Sequence, residues 1–153
     1  MRDGVRLSID VGSVRVGVAA SDVTGTLASP VTVLQRRRDL GEVEELAALV
    51  SARGVIEIVV GMPRTLRDRR GAAAAAARMY AEIIATRVDP VPVRLVDERL
   101  STVSAQRSLH ASGESVKSSR SRIDAAAAAV ILQSALDSER ASGEPVGELV
   151  VVS

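Results

Sequence analysis

Cysteine, tryptophan and phenylalanine are absent from this chain, and tyrosine occurs once. Without cysteine there are no disulfides and no thiolate metal sites, which fits a reducing, cytoplasmic setting. Proteins that read single-stranded RNA stack bases on aromatic side chains, and this chain has no such platform. No apolar run is long enough to span a bilayer. Met1-Arg2-Asp3-Gly4 leads straight into a strand-like run and offers no signal peptide. Lysine is nearly missing as well: nineteen of the twenty basic residues are Arg. Arg grips phosphate with two parallel hydrogen bonds, which Lys cannot do, although genomic composition can produce the same bias. The formal net charge is only +1, so total charge does not mark a nucleic-acid binder.

What is present suits one globular domain. A chain of 153 residues, 46% hydrophobic and 25% charged, can bury an adequate core. The run from Leu7 to Ala19 organises the rest. Two short apolar segments flank a polar turn at Gly12-Ser13, the pattern of a β-hairpin. Asp10 stands inside the first segment among residues that should be buried. A carboxylate there is costly unless it is paired or holds a metal; the plain alternative is an Asp that caps the turn.

Leu27 to Leu34 reads as a third strand, with Pro30 pointing to a sheet edge. Arg36, Arg37 and Arg38 then form a basic run, the kind usually found in a solvated loop. Asp39 begins a helix with Glu42 placed as in a capping box. Leu40, Val43, Leu46, Ala47 and Val50 give that helix one apolar face, and Gly54 ends it. Val55 to Val60 is almost wholly apolar, as in a central strand covered on both sides. The loop after it carries four arginines in seven positions, Arg64, Arg67, Arg69 and Arg70. Open α/β sheets place their sites at this end of a buried strand, so the loop is a candidate phosphate contact. Ala72 to Ala77 opens a helix running to about residue 87, broken by Asp89-Pro90. Val91 to Asp97 is a fifth strand, and Ser101 can cap a helix that stops before Gly113. His110, near its end, reads as an exposed terminal residue rather than a ligand. Ser112 to Ser121, with Lys117 and Arg120, is polar and reads as a mobile connector. A long helix follows from Arg122, with Ile123, Ala127, Val130, Ile131 and Leu136 as its core side. Asp124 falls in its first turn, where the helix dipole alone would account for an acid. The final apolar run, Leu149 to Val152, either docks as an edge strand or frays.

This order predicts an α/β fold with a five-stranded mixed sheet: an antiparallel meander, then parallel βαβ strands, with helices on both faces. Asp10, Glu98 and Asp124 could then converge from distant parts of the chain. Three carboxylates together need a cation, and oxygen-only ligands point to Mg²⁺ or Mn²⁺. One such arrangement holds two ions about 3.5–4 Å apart for in-line attack on phosphodiesters.

Four segments resemble, in order and spacing, the motifs of the YqgF/RuvX family. They are Asp10-Val11-Gly12-Ser13-Val14-Arg15-Val16-Gly17-Val18-Ala19, Val60-Gly61-Met62-Pro63, Asp97-Glu98-Arg99-Leu100-Ser101-Thr102 and Ile123-Asp124-Ala125-Ala126. The resemblance covers roughly residues 6–137, and its third segment is the most specific. It implies a ribonuclease H-like fold close to the RuvC resolvases. Residues 1–140 would form one nuclease domain, followed by a tail, 141–153, that is flexible or docked. By motif, Asp10, Glu98 and Asp124 would be the metal-binding catalytic acids. Val14 stands where the family commonly has Lys, and Thr65 with the arginines after it replaces an Asn- and Gly-containing loop; both departures bear on substrate preference.

The function this implies is a two-metal endonuclease acting on structured nucleic acid, with the 5′ end of precursor 16S ribosomal RNA as its expected substrate. Arg15, Arg64, Thr65, Arg67, Arg69, Arg70, Arg99, Lys117 and Arg120 would contact phosphates. A Holliday junction resolvase, acting on branched DNA as a two-fold dimer, is the alternative within the same chemistry. A catalytically silent nucleic-acid-binding module is the alternative outside it, and the complete acid set weighs against it. Sugar kinases share a similar Asp-x-Gly hairpin but need two such domains. The protein is expected to be cytoplasmic, off the membrane, and a monomer or homodimer.

Overall fold

The computed structural model describes residues 1–62, 71–98 and 116–152, with only the backbone course given for 116–123. The first strand, β1 (Val5–Val11), sets the layout by simple alternation. Leu7 and Ile9 point to one side of the sheet and join the larger hydrophobic core. Arg6, Ser8 and Asp10 point to the other, as successive strand residues must. β2 (Arg15–Ser21) and β3 (Ala28–Gln35) continue the antiparallel meander. β4 (Val55–Met62) pairs parallel with β1, and β5 (Val93–Asp97) parallel with β4. Each parallel step is made through a helix, α1 (Gly41–Arg53) and then α2 (Ala72–Val88).

The sheet has six strands where five were expected, in the order β3-β2-β1-β4-β5-β6. The added strand, β6 (Glu148–Leu149), comes from the C-terminal tail and runs antiparallel to β5. Val150 follows it into the core, and its amide donates to the Val93 carbonyl at 2.8 Å. Two residues are too short a pairing to stand out in sequence. β3 lies at the opposite edge, as Pro30 suggested, and a bulge at Val31 interrupts its pairing with β2.

Helices α1 and α2 cover one face. Val43, Leu46, Ala47 and Val50 of α1 are buried there, beside Ala74, Ala77, Ala81 and Ile84 of α2. Gly54 ends α1 with φ of 61°, a left-handed turn that glycine adopts without strain. The start of α1 differs from the capping box: the helix begins at Gly41, and Asp39 accepts from the Gly41 amide at 2.9 Å. Glu42 is fully buried and turns instead to the Arg37 amide (3.0 Å) and the Tyr80 hydroxyl (2.9 Å). The buried hydroxyl of α2 offered this carboxylate a better partner than its own helix end.

Among the described residues, the other face is covered by the third helix, α3 (Val116–Ser142). It begins at Val116, so part of the polar stretch read as a mobile connector is helical. Ala127, Ile131, Leu132, Ala135 and Leu136 pack on Val59 and Val96. Polar contacts also hold α3 on this face. Ser8 donates to the Ala128 carbonyl at 2.6 Å. Near the helix's C-terminal end, Glu139 receives Arg2 at 2.6 Å and Arg6 at 2.9 Å, while Glu57 receives Arg2 and Arg94. No helix among the described residues is long and apolar enough to cross a membrane.

Candidate active site

Strand register places one row of residues across the α3 face. Asp10 of β1 pairs with Gly17 of β2 on one side and Gly61 of β4 on the other, and Gly61 pairs with Val96 of β5. Asp10 is thus a buried carboxylate, 4% exposed, with no side chain beside it on either neighbouring strand. The two glycines open a trough that α3 enters. A Cβ on Gly17 would lie 2.0 Å from the Asp124 carbonyl oxygen, and one on Gly61 would lie 2.5 Å from Ile131 Cδ1. The backbone of Asp124 is therefore seated on the residue next to Asp10. This is how two acids more than a hundred positions apart reach one place. Glycine inside a run of β-branched residues is the sequence sign of such close approach; Gly17 and Gly61 stand in such runs but were not read that way.

Asp124 lies nine residues into α3 rather than in its first turn, so the dipole explanation for it fails. Arg15, two residues before Gly17 and on the same strand face, donates from Nε to Asp124 Oδ2 at 3.0 Å, with both side chains about one-fifth exposed. Glu98 follows directly on β5 and is 7% exposed. Val96, two residues earlier, belongs to the row that contains Asp10. All three acids thus stand at or near the edge where the parallel strands end, on three separate elements.

The donor chemistry, carboxylate oxygen throughout, fits a hard divalent cation such as Mg²⁺ or Mn²⁺. Among the described residues, no three acidic or histidine side chains are grouped closely enough to hold an ion together. The Asp124 carboxylate rests on Arg15 instead. The fold brings the three acids to one end of the sheet.

Of the proposed phosphate contacts, Arg15 is in place beside Asp124. Arg64, Thr65, Arg67, Arg69, Arg70 and Arg99 lie outside the described residues, as does His110. Lys117 and Arg120 belong to the first turns of α3, and their side chains lie outside the description. Arg36, read only as part of a solvated run, is at the same sheet edge: its amide donates to the Val14 carbonyl at 2.8 Å and its guanidinium to the Gly12 carbonyl at 3.0 Å.

A mixed sheet built from a meander and two parallel crossovers, with an acid on the first strand facing a C-terminal helix, defines the ribonuclease H-like class. The backbone agrees. Thermus thermophilus RuvC, solved in complex with a Holliday junction substrate, matches 94% of this chain and 99% of its own, with a TM-score of 0.56. Identity is 16%, so the likeness concerns the fold. Sequence carries the assignment further. The family model described as RuvX, Holliday junction resolvase, matches residues 4–138, and the chain belongs to this family. A protein of Mycolicibacterium paratuberculosis is 53% identical over 95% of this chain and 87% of its own length. One from Leifsonia xyli is 51% identical over 98% of this chain and 96% of its own. Both carry the provisional name pre-16S rRNA nuclease.

Proposed function

We propose that this protein is a metal-dependent endonuclease that hydrolyses phosphodiesters in structured nucleic acid, and that it trims the 5′ end of precursor 16S ribosomal RNA in the cytoplasm. The observation that carries the reading is the seat of Asp124 on Gly17, one strand over from the buried Asp10. Two acids from distant parts of the chain thus share the end of the sheet where the parallel strands finish, the place where open α/β sheets build their sites. The names of the relatives, at about half identity over nearly the whole chain, favour ribosomal RNA as the substrate.

In this reading Asp10, Glu98 and Asp124 hold Mg²⁺ or Mn²⁺, most simply two ions, whose chemistry is to render water nucleophilic at neutral pH and to neutralise the leaving oxygen. The protein's own residues do the positioning. Asp10 is fixed by its strand and its position follows from β1. Asp124 is carried on α3, and Arg15 keeps its carboxylate oriented and offers its remaining guanidinium donors to a substrate phosphate. Arg64, Thr65, Arg67, Arg69, Arg70, Arg99, Lys117 and Arg120 supply further phosphate contacts, which fix register without reading sequence.

The description of the family, and the RuvC fold, support a second reading, in which a homodimer resolves four-way DNA junctions. Cleavage of a precursor 16S leader and of a matched four-way DNA junction, each with Mg²⁺ or Mn²⁺, separates the two. Faster cutting of the leader is expected. Preferential cutting of the junction would transfer the assignment to recombination, and no cutting of either would leave a binding module.

A further inference from the structure

Glu42 and Tyr80 form a buried polar pair that the proposed chemistry does not use. Glu42 is fully buried and Tyr80 is 1% exposed. Besides the Tyr80 hydroxyl, Glu42 accepts the backbone amide of Arg37. The Tyr80 ring supports the guanidinium of Arg36, 4.6 Å from the ring centre. Arg36 also donates to the Gly12 carbonyl, and its amide to Val14. Leu40 then takes a left-handed conformation, φ 60°, and the exposed Asp39 carboxylate accepts from the Gly41 amide. A loop of four residues is thus fixed at both ends by buried or backbone groups. Its outward side displays Arg37 and Arg38, both exposed.

The loop lies at the same end of the sheet as the acids, anchored on the side covered by α1 and α2, whereas Asp10 faces α3. Arg15 pairs with Gln35, the last residue of β3, so the chain passes from β3 into Arg36 level with the start of β2. Two strand spacings, about 10 Å, separate β3 from the strand of Asp10. Asp10 is level with Val33 on β3, so Arg36 also lies three residues, about 10 Å, beyond that row along the strand.

We infer that Arg36–Asp39 is a preformed wall of the substrate path, where Arg37 and Arg38 contact backbone phosphates on the β3 side of the acids. This rests on the nuclease reading and extends it to residues outside the four family-like segments. A loop ordered before binding loses little entropy on contact, and that is what the Glu42–Tyr80 pair provides. The partner is the phosphate backbone of a folded RNA or branched DNA. Contacts to phosphate fix position without reading base sequence.

The test measures binding without cutting. Affinity for a four-way DNA junction and for an RNA stem–loop is recorded in chelator at several salt concentrations, with Arg38→Ala, with Arg37→Ala/Arg38→Ala, and with Arg53→Ala. Arg53 is exposed at the far end of α1 and serves as a control for loss of one surface charge. The logarithm of affinity should fall less steeply with log salt by about 0.7–0.9 for Arg38→Ala and up to twice that for the double variant. Arg53→Ala should keep the parental slope. Melting temperatures close to the parent's confirm that the loop variants fold. Parental slopes in both loop variants, or an equal change with Arg53→Ala, would overturn the wall. Failure of the parent to bind either probe at low salt would instead overturn the nucleic-acid reading, and the wall with it.

Discussion

Replacing Glu139 with Gln should cost about 3 kcal/mol of stability, and the reason lies on the α3 face far from the acids. Glu139 is 4% exposed and receives Arg6, which is 1% exposed, and Arg2, which is partly in water. Arg6 Nε is buried without a hydrogen-bond partner, so this guanidinium already sits close to the limit of what its surroundings satisfy. Removing the carboxylate's charge would leave the buried Arg6 guanidinium only neutral oxygens, the Gly4 carbonyl and the new amide oxygen, as acceptors. Breaking a buried pair from one side costs about 3–5 kcal/mol, whereas the exposed share contributed by Arg2 is worth about 0–1 kcal/mol. The carboxyl's proton affinity is shifted in the matching direction. Burial pushes the Glu139 carboxyl up, but the Arg2 hydrogen bonds outweigh it and hold it at about 2, against an ordinary 4.5. Because the folded-state value is depressed, the stabilisation is complete above pH about 4.5 and is lost as pH falls toward about 2. Urea denaturation at neutral pH and along an acid series measures both effects. Glu139→Gln should lower the neutral value and flatten the acid limb. A loss under about 1 kcal/mol, with the limb unchanged, would refute the idea that α3 is fastened by this pair.

Gly17→Ala forces a methyl to within 2.0 Å of the Asp124 carbonyl. Backbone cannot yield as a side chain can, so α3 must lift; a loss at or above the usual 1–3 kcal/mol of overpacking should appear in denaturant melts, together with weakened substrate cleavage. Tyr80→Phe removes the hydroxyl that donates to buried Glu42 and should cost about 1–3 kcal/mol by the same measurement. Burial pushes the Tyr80 hydroxyl up, with Glu42 adding to the effect, so ultraviolet titration should show this tyrosine still protonated where a free one ionises. The raised value means that its contribution is intact below about pH 10 and fades as pH rises beyond it.

Much of the fold can be read from local patterns. The alternation in Val5–Val11, the apolar run of Val55–Met62 and the periodicity of Gly41–Arg53 each follow from short-range burial. What escapes is decided by distant partners. β6 is two residues long and exists because β5 offers an open edge. Glu42 sits where a capping box would use it, yet the Tyr80 hydroxyl claims it from another helix. Asp124 reads as a first-turn acid because the polar residues from Val116 onward hide the helix start. At the site, the burial of Asp10 was legible from its apolar neighbours, while its separation from Asp124 by a single glycine required register. Arg36 looked like solvated charge because neither the Gly12 carbonyl nor the Tyr80 ring is near it in sequence.

Asp10→Asn tests the assignment of the acids most directly, because it keeps size and removes charge at the most buried of them. The variant and its parent should be compared in two readouts: cleavage of the precursor 16S leader in Mg²⁺, and melting temperature with Mg²⁺ against chelator. The account predicts a folded variant that does not cut, and whose melting temperature no longer responds to Mg²⁺ as the parent's does. In chelator it should melt no lower than the parent, since a carboxylate near Asp124 and Glu98 has been neutralised. Near-parental cleavage, with an undiminished response to Mg²⁺, would contradict the role given to Asp10 and with it the proposed site.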